Sequence, residues 1–338
     1  MSQAFISSAP GRLCLFGEHQ DYLGLPVIAM AVNRRCQLHF NPSPGNGVVV
    51  TSAQFGEVDA FDCNRLDPGE RKSPLRHALA ALVAEFQGMN LGGWHIHIES
   101  EIPVRAGCSS STALMTAWIA GWLEVLQGRF EAEDVVSRCH RYEVLDFDGA
   151  GGNMDQYACG HGGLQRFGAG TPHTLHRPEG VFILGDSGQP KDTQGHLRRC
   201  RDARIPLMPF IDQVNPALEG EELTLLEGTR KNRDLEATWG AAMLSGAASG
   251  ATFGADLTRH HAVLRDVLGL STPRIEGMLE AAGYAGAWGG KINGSGGGGC
   301  CFALCPEAAV DNVIEAMLSA GAAGAWRVEM DGGVKCSR

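Results

Sequence analysis

Apolar residues recur along the chain with two different spacings, and the spacing predicts the elements. Short alternating or continuous apolar runs of the kind found in strands cover residues 12–17, 27–40, 48–51, 95–102, 181–187, 300–305 and 326–330. Longer segments predict helices, at residues 74–87, 110–127, 131–147, 195–204, 221–244, 256–268, 273–282 and 306–320. This succession of strands and helices predicts an α+β fold.

The character of the chain changes in its middle. A glycine-rich stretch over residues 149–163 separates a first half of strands and apolar helices from a second half richer in polar helices. A length of 338 residues suits two packed domains. We therefore expect one domain over residues 1–175 and another over residues 176–338.

Charge and composition exclude several classes of function. The net charge of -10 argues against nucleic acid as a partner, because a duplex selects a basic surface. The N-terminus lacks the basic and apolar regions of a signal peptide, and no run is long enough to cross a bilayer. The 11 cysteines are scattered through apolar runs, which favours reduced, mostly buried thiols. We expect a cytoplasmic protein without a membrane partner; the sequence does not indicate an oligomeric state.

The loop from Pro103 to Thr112 has the composition of an anion site. It places Gly107 and three consecutive serines directly before a long apolar helix. Free backbone N–H groups and the helix dipole attract phosphate at such a position. A single serine cap would explain one of these serines but not all three.

The segment from Gly289 to Gly299 is the richest in glycine. Its glycines lead into an apolar strand rather than a helix, so it is neither a dinucleotide fingerprint nor a P-loop. The composition predicts a turn whose backbone approaches a ligand closely.

Charged residues accompany two other glycine-containing turns. Arg12 and the run Gly17–Tyr22 lie at the end of a predicted strand, and Asp155 lies within Gly151–Gln156. Taken singly, an aspartate in such a turn is more often a cap than a catalyst.

Taken together and in this order, these segments resemble the GHMP kinase superfamily of galactose, homoserine, mevalonate and phosphomevalonate kinases. Residues 9–22 resemble the first galactokinase motif, and residues 102–112 resemble the phosphate loop. Residues 290–300 resemble the third motif, and Asn153–Gln156 resembles the segment with the catalytic aspartate. The resemblance implies a ribosomal-protein-like N-terminal domain, a ferredoxin-like C-terminal domain and an active site between them.

The resemblance also implies ATP and Mg²⁺ as cofactors, a small-molecule sugar as partner, and a role for each matching residue. Asp155 and Arg12 resemble the catalytic pair. Asp155 with Glu18, His19 and Asp21 resembles the residues that bind the sugar. The resemblance assigns ATP to Gly107, Ser109, Ser110, Ser111, Gly296 and Gly297, and Mg²⁺ to Ser111 and Glu143.

Departures from the family pattern leave the acceptor open. Arg105 replaces a usual glycine, the segment Gly195–Arg201 keeps an arginine pair but lacks the galactokinase tyrosine, and Leu270–Ile275 is more similar to mevalonate kinases. The leading interpretation is a galactokinase-like sugar kinase acting at the anomeric hydroxyl. A mevalonate-kinase-like enzyme and a non-catalytic sugar- or ATP-sensing regulator are the alternatives; heptose and fucose kinases carry a different motif in place of Gly-Glu-His.

Overall fold

The larger of two sheets gathers most of the first half of the chain. The structure, a computed structural model, describes residues 3–54, 56–67, 69–71, 73–86, 91–168 and 172–338. The strands of this sheet are β1 (Phe5–Phe16), β2 (Val27–Ser43), β3 (Gly47–Ser52), β4 (Gly56–Asp62), β5 (Gly93–Ser100), β6 (Leu164–Phe167) and β7 (His173–Thr174). A further strand from the second half of the chain, β12 (Lys335–Ser337), joins it, so that its main order is β12-β1-β2-β5-β3-β4, with β6 beside β2 and β7 beside β6. Only the β3–β5 pair is parallel among these described strands.

Helices cover the buried side of this sheet. They are α1 (Pro74–Glu85), α2 (Ser110–Gln127), α3 (Ala132–Glu143) and α4 (Met154–His161). Trp118 and Trp122 of α2 pack against Phe40 of β2. A Cβ on Gly121 would lie 2.4 Å from the Phe40 ring, so a glycine is what lets helix and sheet approach this closely. This packing fixes the N-terminus of α2 beside β1.

The second half of the chain forms a four-stranded antiparallel sheet. Its order is β11-β8-β10-β9, from β8 (Val181–Asp186), β9 (Gly289–Ile292), β10 (Cys300–Cys305) and β11 (Gly324–Val328). The accompanying helices are α5 (Thr193–Arg204), α6 (Gly220–Leu244), α7 (Gly250–Asp266), α8 (Pro273–Tyr284) and α9 (Val310–Ser319). We refer to the larger sheet with α1–α4 as the first lobe and to this sheet with α5–α9 as the second lobe.

The two lobes share a hydrophobic core. Successive side chains of β10 alternate between two clusters: Cys301 and Ala303 join α8 and α9, whereas Phe302 joins the core of the first lobe. The sheets divide close to residue 175, but the last strand, β12 (Lys335–Ser337), returns to pair with β1. The predicted second domain therefore contributes one strand to the sheet of the first.

The α+β prediction is confirmed, and several elements differ from their predicted bounds. The predicted helix 131–147 ends at Glu143, followed by a 3-10 turn at Leu145–Phe147. The glycine-rich stretches 149–163 and 289–299 contain α4 and β9, which were not predicted because glycine lowers both propensities. The strands β4, β6, β7 and β12 were also missed. The end of the predicted helix 74–87 lies outside the described residues.

No helix in the described ranges combines the length and the apolar character that a membrane crossing requires.

Candidate active site

A cavity of about 340 Å³ opens between the two lobes. The first lobe supplies its wall from β1, the N-terminus of α2, the end of α3 and the start of α4. The second lobe contributes Gly294, Ser295 and the segment around Lys191. Of the residues predicted for the site, the following line the cavity: Arg12, Glu18, His19, Asp21, Gly107, Ser109, Ser110, Ser111, Glu143 and Asp155.

The predicted phosphate loop has the geometry of an anion site. Ser109 precedes α2 in the left-handed conformation, with φ of 61°, and its side chain forms no capping hydrogen bond. Its hydroxyl oxygen is buried and has no partner among the described residues. The helix therefore offers its first N–H groups and its dipole to the cavity instead of satisfying them internally.

The glycine turn of the second lobe packs directly against this loop. A Cβ on Gly107 would lie 2.3 Å from the Asn293 oxygen, and one on Gly294 would lie 2.6 Å from the Gly107 oxygen. The amide of Asn293 joins the two lobes by donating to Gly107 O at 3.0 Å and Arg12 O at 3.2 Å and accepting from Cys14 N at 2.9 Å. The backbones can approach this closely only because two glycines face each other.

Within this turn, Gly294 and Ser295 form the cavity wall. The predicted ATP ligands Gly296 and Gly297 lie behind it, packed against Leu270 and His196. Both have φ close to +80°, so they shape the turn. Their contact with ATP stays a prediction.

The predicted catalytic pair is assembled. The Arg12 guanidinium donates from Nε to Asp155 Oδ1 at 2.8 Å, and its Nη2 lies 2.7 Å from the same oxygen. Arg12 also donates to the Gly107 carbonyl and is buried. Asp155, in the first turn of α4, is about one-third exposed to the cavity. The pair thus links the catalytic carboxylate to the phosphate loop.

Glu143 and Ser111 fit the requirements of a magnesium site. The Glu143 carboxylate lies beside the hydroxyls of Ser111 and Thr112 and accepts from Gln156 Nε2 at 2.9 Å. Burial raises the pKa of Glu143, and these hydrogen bonds oppose the rise. One carboxylate and one hydroxyl beside a phosphate site match the way Mg²⁺ binds, since the ion keeps waters and takes its remaining ligands from the nucleotide. With Mg²⁺ bound, this site would neutralise charge on the transferring phosphoryl group.

The predicted sugar ligand Glu18 has a different partner. Its Oε2 lies 2.7 Å from Lys291 Nζ, and the two side chains are 2% and 0% exposed. Lys291 also donates to Cys14 O at 2.8 Å. This buried ion pair fixes β9 of the second lobe to the end of β1 and occupies Oε2 of the Glu18 carboxylate.

His19 is held in a chain of buried hydrogen bonds. Arg204 donates to Tyr22 Oη at 2.6 Å and to His19 O at 2.7 Å, and Tyr22 Oη lies 2.7 Å from His19 Nδ1. The tyrosine oxygen accepts from Arg204, and its remaining hydrogen bond is the one shared with His19 Nδ1. Burial and the Arg204 charge lower the pKa of His19, so the ring is neutral.

Asp21 lines the cavity together with Asp155. Burial, together with the Asp155 charge, raises the pKa of Asp21 to about 6, and backbone N–H groups of Tyr22 and Met154 oppose the rise. Among the three predicted sugar ligands that follow β1, Asp21 is the half-buried one; Glu18 and His19 are almost completely enclosed.

Two cations lie on the cavity wall: Lys191, which sequence reasoning missed, and Arg105, which departs from the family pattern. Lys191 places its Nζ beside Gly107, and within the described ranges it forms no hydrogen bond or ion pair. Burial and the Arg12 charge lower its pKa. Arg105 adopts φ of 56°, the region that the family's usual glycine prefers. A lysine between Pro190 and Asp192 carries no motif, so only the fold reveals its place.

Comparison with known proteins identifies the family. The GHMP kinase N-terminal domain matches residues 74–163, and the GHMP kinase C-terminal domain matches residues 238–323. The galactokinase galactose-binding signature matches residues 1–42. A protein named mevalonate kinase from Thermococcus gammatolerans is 30% identical over 319 residues, which cover 89% of each chain.

The chain belongs to the GHMP kinase family.

The relatives found by sequence are mevalonate kinases, whereas the similar structures include both a galactokinase and mevalonate kinases. The mevalonate kinase of Pyrococcus furiosus is 28% identical over 322 residues, covering 89% of each chain. The galactokinase of Lactococcus lactis, solved with galactose, superposes with a TM-score of 0.80 at 19% identity, covering 99% of this chain and 95% of that one. Methanococcus jannaschii mevalonate kinase gives 0.80 at 16% identity, covering 97% and 98%. These superpositions confirm the two-domain GHMP kinase fold, and at such identities they show the fold alone.

Proposed function

We propose that this GHMP kinase transfers the terminal phosphoryl group of ATP to a hydroxyl of a small hydroxy acid of the mevalonate class. This reverses the order in which the sequence ranks the acceptors. Membership of the family supports the phosphotransferase activity. The residues around the proposed acceptor end of the cavity support the choice of acceptor.

The observation that carries the proposal is the ion pair between Glu18 and Lys291. A carboxylate that binds sugar hydroxyls must be accessible to accept their protons. Glu18 is enclosed and bound to a buried ammonium group instead. Opening this pair would leave a charge unpaired in the interior, which costs several kcal/mol, on the order of 3–5.

Lys191 supplies what an acidic acceptor needs. It is a cation without an ion-pair partner in the described part of the chain, and it faces the cavity. A hydrogen bond between charged partners contributes about 1.5–3 kcal/mol when it satisfies both groups. A substrate carboxylate would pair with Lys191, whereas a neutral sugar offers it no charged partner.

The remaining site performs the transfer. Asp155 accepts the proton of the attacking hydroxyl, and Arg12 holds that carboxylate in a fixed position. The N-terminus of α2 faces the phosphate region, where positioning and charge neutralisation provide most of the catalysis. The presence of the acid and its arginine disfavours a non-catalytic regulator.

Two observations keep a galactose-class sugar as the second candidate. The galactose-binding signature matches residues 1–42. Asp21 is placed to accept hydroxyl protons at the acceptor end. The mevalonate kinases among the relatives, which align along most of the chain, favour the hydroxy acid.

An acceptor panel tests the proposal. The protein is incubated with Mg²⁺-ATP and, separately, mevalonate, galactose, other hexoses and uronic acids, and ADP release is followed. We expect the highest kcat/KM with mevalonate or a related hydroxy acid, and no acceptor-dependent release from Asp155→Asn prepared in parallel. A clear preference for galactose would reject the hydroxy-acid assignment and support the second candidate.

A further inference from the structure

Two cysteines meet where the phosphate loop contacts the second lobe. Cys108 lies in the loop before α2, and Cys300 is the first residue of β10. They are 1% and 0% exposed, and Asn293 holds both residues side by side: its N donates to Cys300 O at 2.9 Å and its Nδ2 donates to Cys108 Sγ. We call Cys108 and Cys300 the thiol pair. The phosphoryl-transfer chemistry described above uses neither of them.

The surroundings distinguish the two thiols. Asn293 Nδ2 lies 3.5 Å from Cys108 Sγ, and the positive charges of Arg12 and Lys191 act on the same sulfur. The pKa of Cys108 is lowered, first by a hydrogen bond from Cys300 and then by Arg12, Asn293 and Lys191. The pKa of Cys300 is raised by the same interaction with Cys108 and by burial. Cations that favour the thiolate form and a neighbouring second thiol are two features of redox-sensitive cysteine pairs; the third, access to the oxidant, requires the contact between the loop and the glycine turn to open.

We propose that the thiol pair is an oxidative modification site at which a hydroperoxide converts Cys108 and Cys300 into a disulfide across the two lobes. In the first step the Cys108 sulfur attacks the peroxide, the O–O bond breaks, and Cys108 becomes a sulfenic acid while water or an alcohol leaves. In the second step the Cys300 sulfur attacks the Cys108 sulfur, and the S–O bond breaks to release water. The two thiols together lose two electrons, which reduce the peroxide.

The disulfide would act on the phosphate site through the backbone. Cys300 N already donates to Ala106 O at 2.6 Å, and Arg12 N donates to Cys108 O at 3.2 Å. A disulfide brings two sulfurs to about 2.05 Å, closer than two thiols in contact can lie. The adjoining contact between Gly107 and Asn293 has no spare room. Drawing Cys108 towards β10 therefore displaces the loop that precedes the phosphate-binding end of α2.

Both thiols are enclosed, so a peroxide reaches them only when the contact between loop and glycine turn opens. A nucleotide bound to the N-terminus of α2 would hold the loop in place. The structure thus predicts slower oxidation when Mg²⁺ and a non-hydrolysable ATP analogue are bound.

The test uses the full-length protein treated with hydrogen peroxide, with and without the ATP analogue. Peptide mass spectrometry without reduction identifies the linked residues, and calorimetric titration measures binding of the analogue. We expect a peptide linking Cys108 to Cys300, weaker nucleotide binding, and recovery of both states after dithiothreitol. Cys301→Ser is the matched control because its side chain lies on the opposite side of β10 and joins the other core cluster; it should respond to peroxide as the wild type does.

Cys300→Ala and Cys108→Ser should abolish the linked peptide and the reversible loss of binding, and a thermal unfolding curve verifies that each variant is folded. The mapping on the wild-type protein decides the matter even if a variant does not fold. Peroxide treatment that leaves no peptide linking Cys108 to Cys300, or a linked protein that binds the nucleotide as before, would overturn the proposal. If the disulfide forms and weakens nucleotide binding while no acceptor is phosphorylated, the proposed function fails and this inference stands.

Discussion

The phosphate end and the acceptor end of the cavity are built by different means. At the phosphate end the backbone forms the site: Gly107 and Gly294 meet, and Ser109 leaves the first N–H groups of α2 open. At the acceptor end, side chains distant in sequence pair with each other, as in Glu18 with Lys291 and Tyr22 with Arg204. A short sequence motif is enough to predict a site built from backbone. Which distant side chains pair with each other can be determined only from the folded structure.

The largest effect is expected at the junction of the two ends. Asp155→Asn removes the proton acceptor but preserves the shape of the side chain, so turnover should fall about 10²–10⁴-fold. Binding of Mg²⁺-ATP should change little, because the proposed phosphate site lies at the N-terminus of α2 rather than at Asp155. Steady-state kinetics and titration of nucleotide measure the two quantities. Asp311→Asn, an exposed residue on α9, is the control; near-normal turnover in Asp155→Asn would remove this carboxylate from the mechanism.

The next effect concerns the buried pair at the acceptor end. Lys291→Met leaves the Glu18 carboxylate unpaired in the interior and should lower the free energy of unfolding by about 3–5 kcal/mol. Adding Glu18→Met removes the stranded charge, so the double variant should recover much of that loss. Urea unfolding measures both variants. A stable Lys291→Met protein with a raised acceptor KM would instead mean that Glu18 serves the substrate.

The raised pKa of Asp21 should make the stability of the protein depend on pH. Its pKa of about 6 in the folded protein lies above the ordinary value of 3.8, so the native state binds this proton more tightly than the unfolded state does. The ionised carboxyl therefore costs stability above about pH 6, and the cost disappears as the pH falls towards 4. Asp21→Asn should be more stable than the wild type by about 1–2 kcal/mol at neutral to alkaline pH, with partial exposure moderating the figure.

Thermal unfolding of Asp21→Asn and the wild type across pH provides the measurement. The two stability curves should converge on acidification. Curves that stay parallel down to acid pH would show that Asp21 titrates normally.

The smallest effect lies in the phosphate loop. Arg105 holds φ of 56°, which strains a residue with a Cβ, so Arg105→Gly should relieve the strain. The greater freedom of glycine in the unfolded chain offsets part of the gain, which leaves about 0.5 kcal/mol of stabilisation. Arg105→Ala keeps the strain and removes the side chain, which makes it the matched control for urea unfolding. If Arg105→Gly and Arg105→Ala have equal free energies of unfolding, the backbone at this residue is not strained.

The same contrast explains how much of the molecule could be predicted. The long apolar helix at 110–127 and the strands at 181–187 and 300–305 were predicted almost to the residue, because burial imposes their patterns. The missed elements, α4 and β9, lie in glycine-rich segments. The intrinsic propensities of these segments favour turns, and tertiary packing is what makes them a helix and a strand.

The site divides in the same way. Arg12, Asp155 and the serines of the phosphate loop were predicted from motifs and line the cavity together. The motif containing Glu18 suggested a sugar ligand, but the motif could not show that Lys291 would reach it from 273 residues away. Lys191 has no motif at all.

The most direct test of the account removes a charge from each side of the same contact. kcat/KM is measured for mevalonate and for the neutral triol obtained by reducing its carboxylate, with the wild type and with Lys191→Met. We expect the wild type to favour mevalonate by about 10–100-fold, as one charged hydrogen bond allows, and Lys191→Met to lose that preference. A wild type that phosphorylates the triol as well as mevalonate, or a preference that survives Lys191→Met, would contradict the assignment of an acidic acceptor to this site.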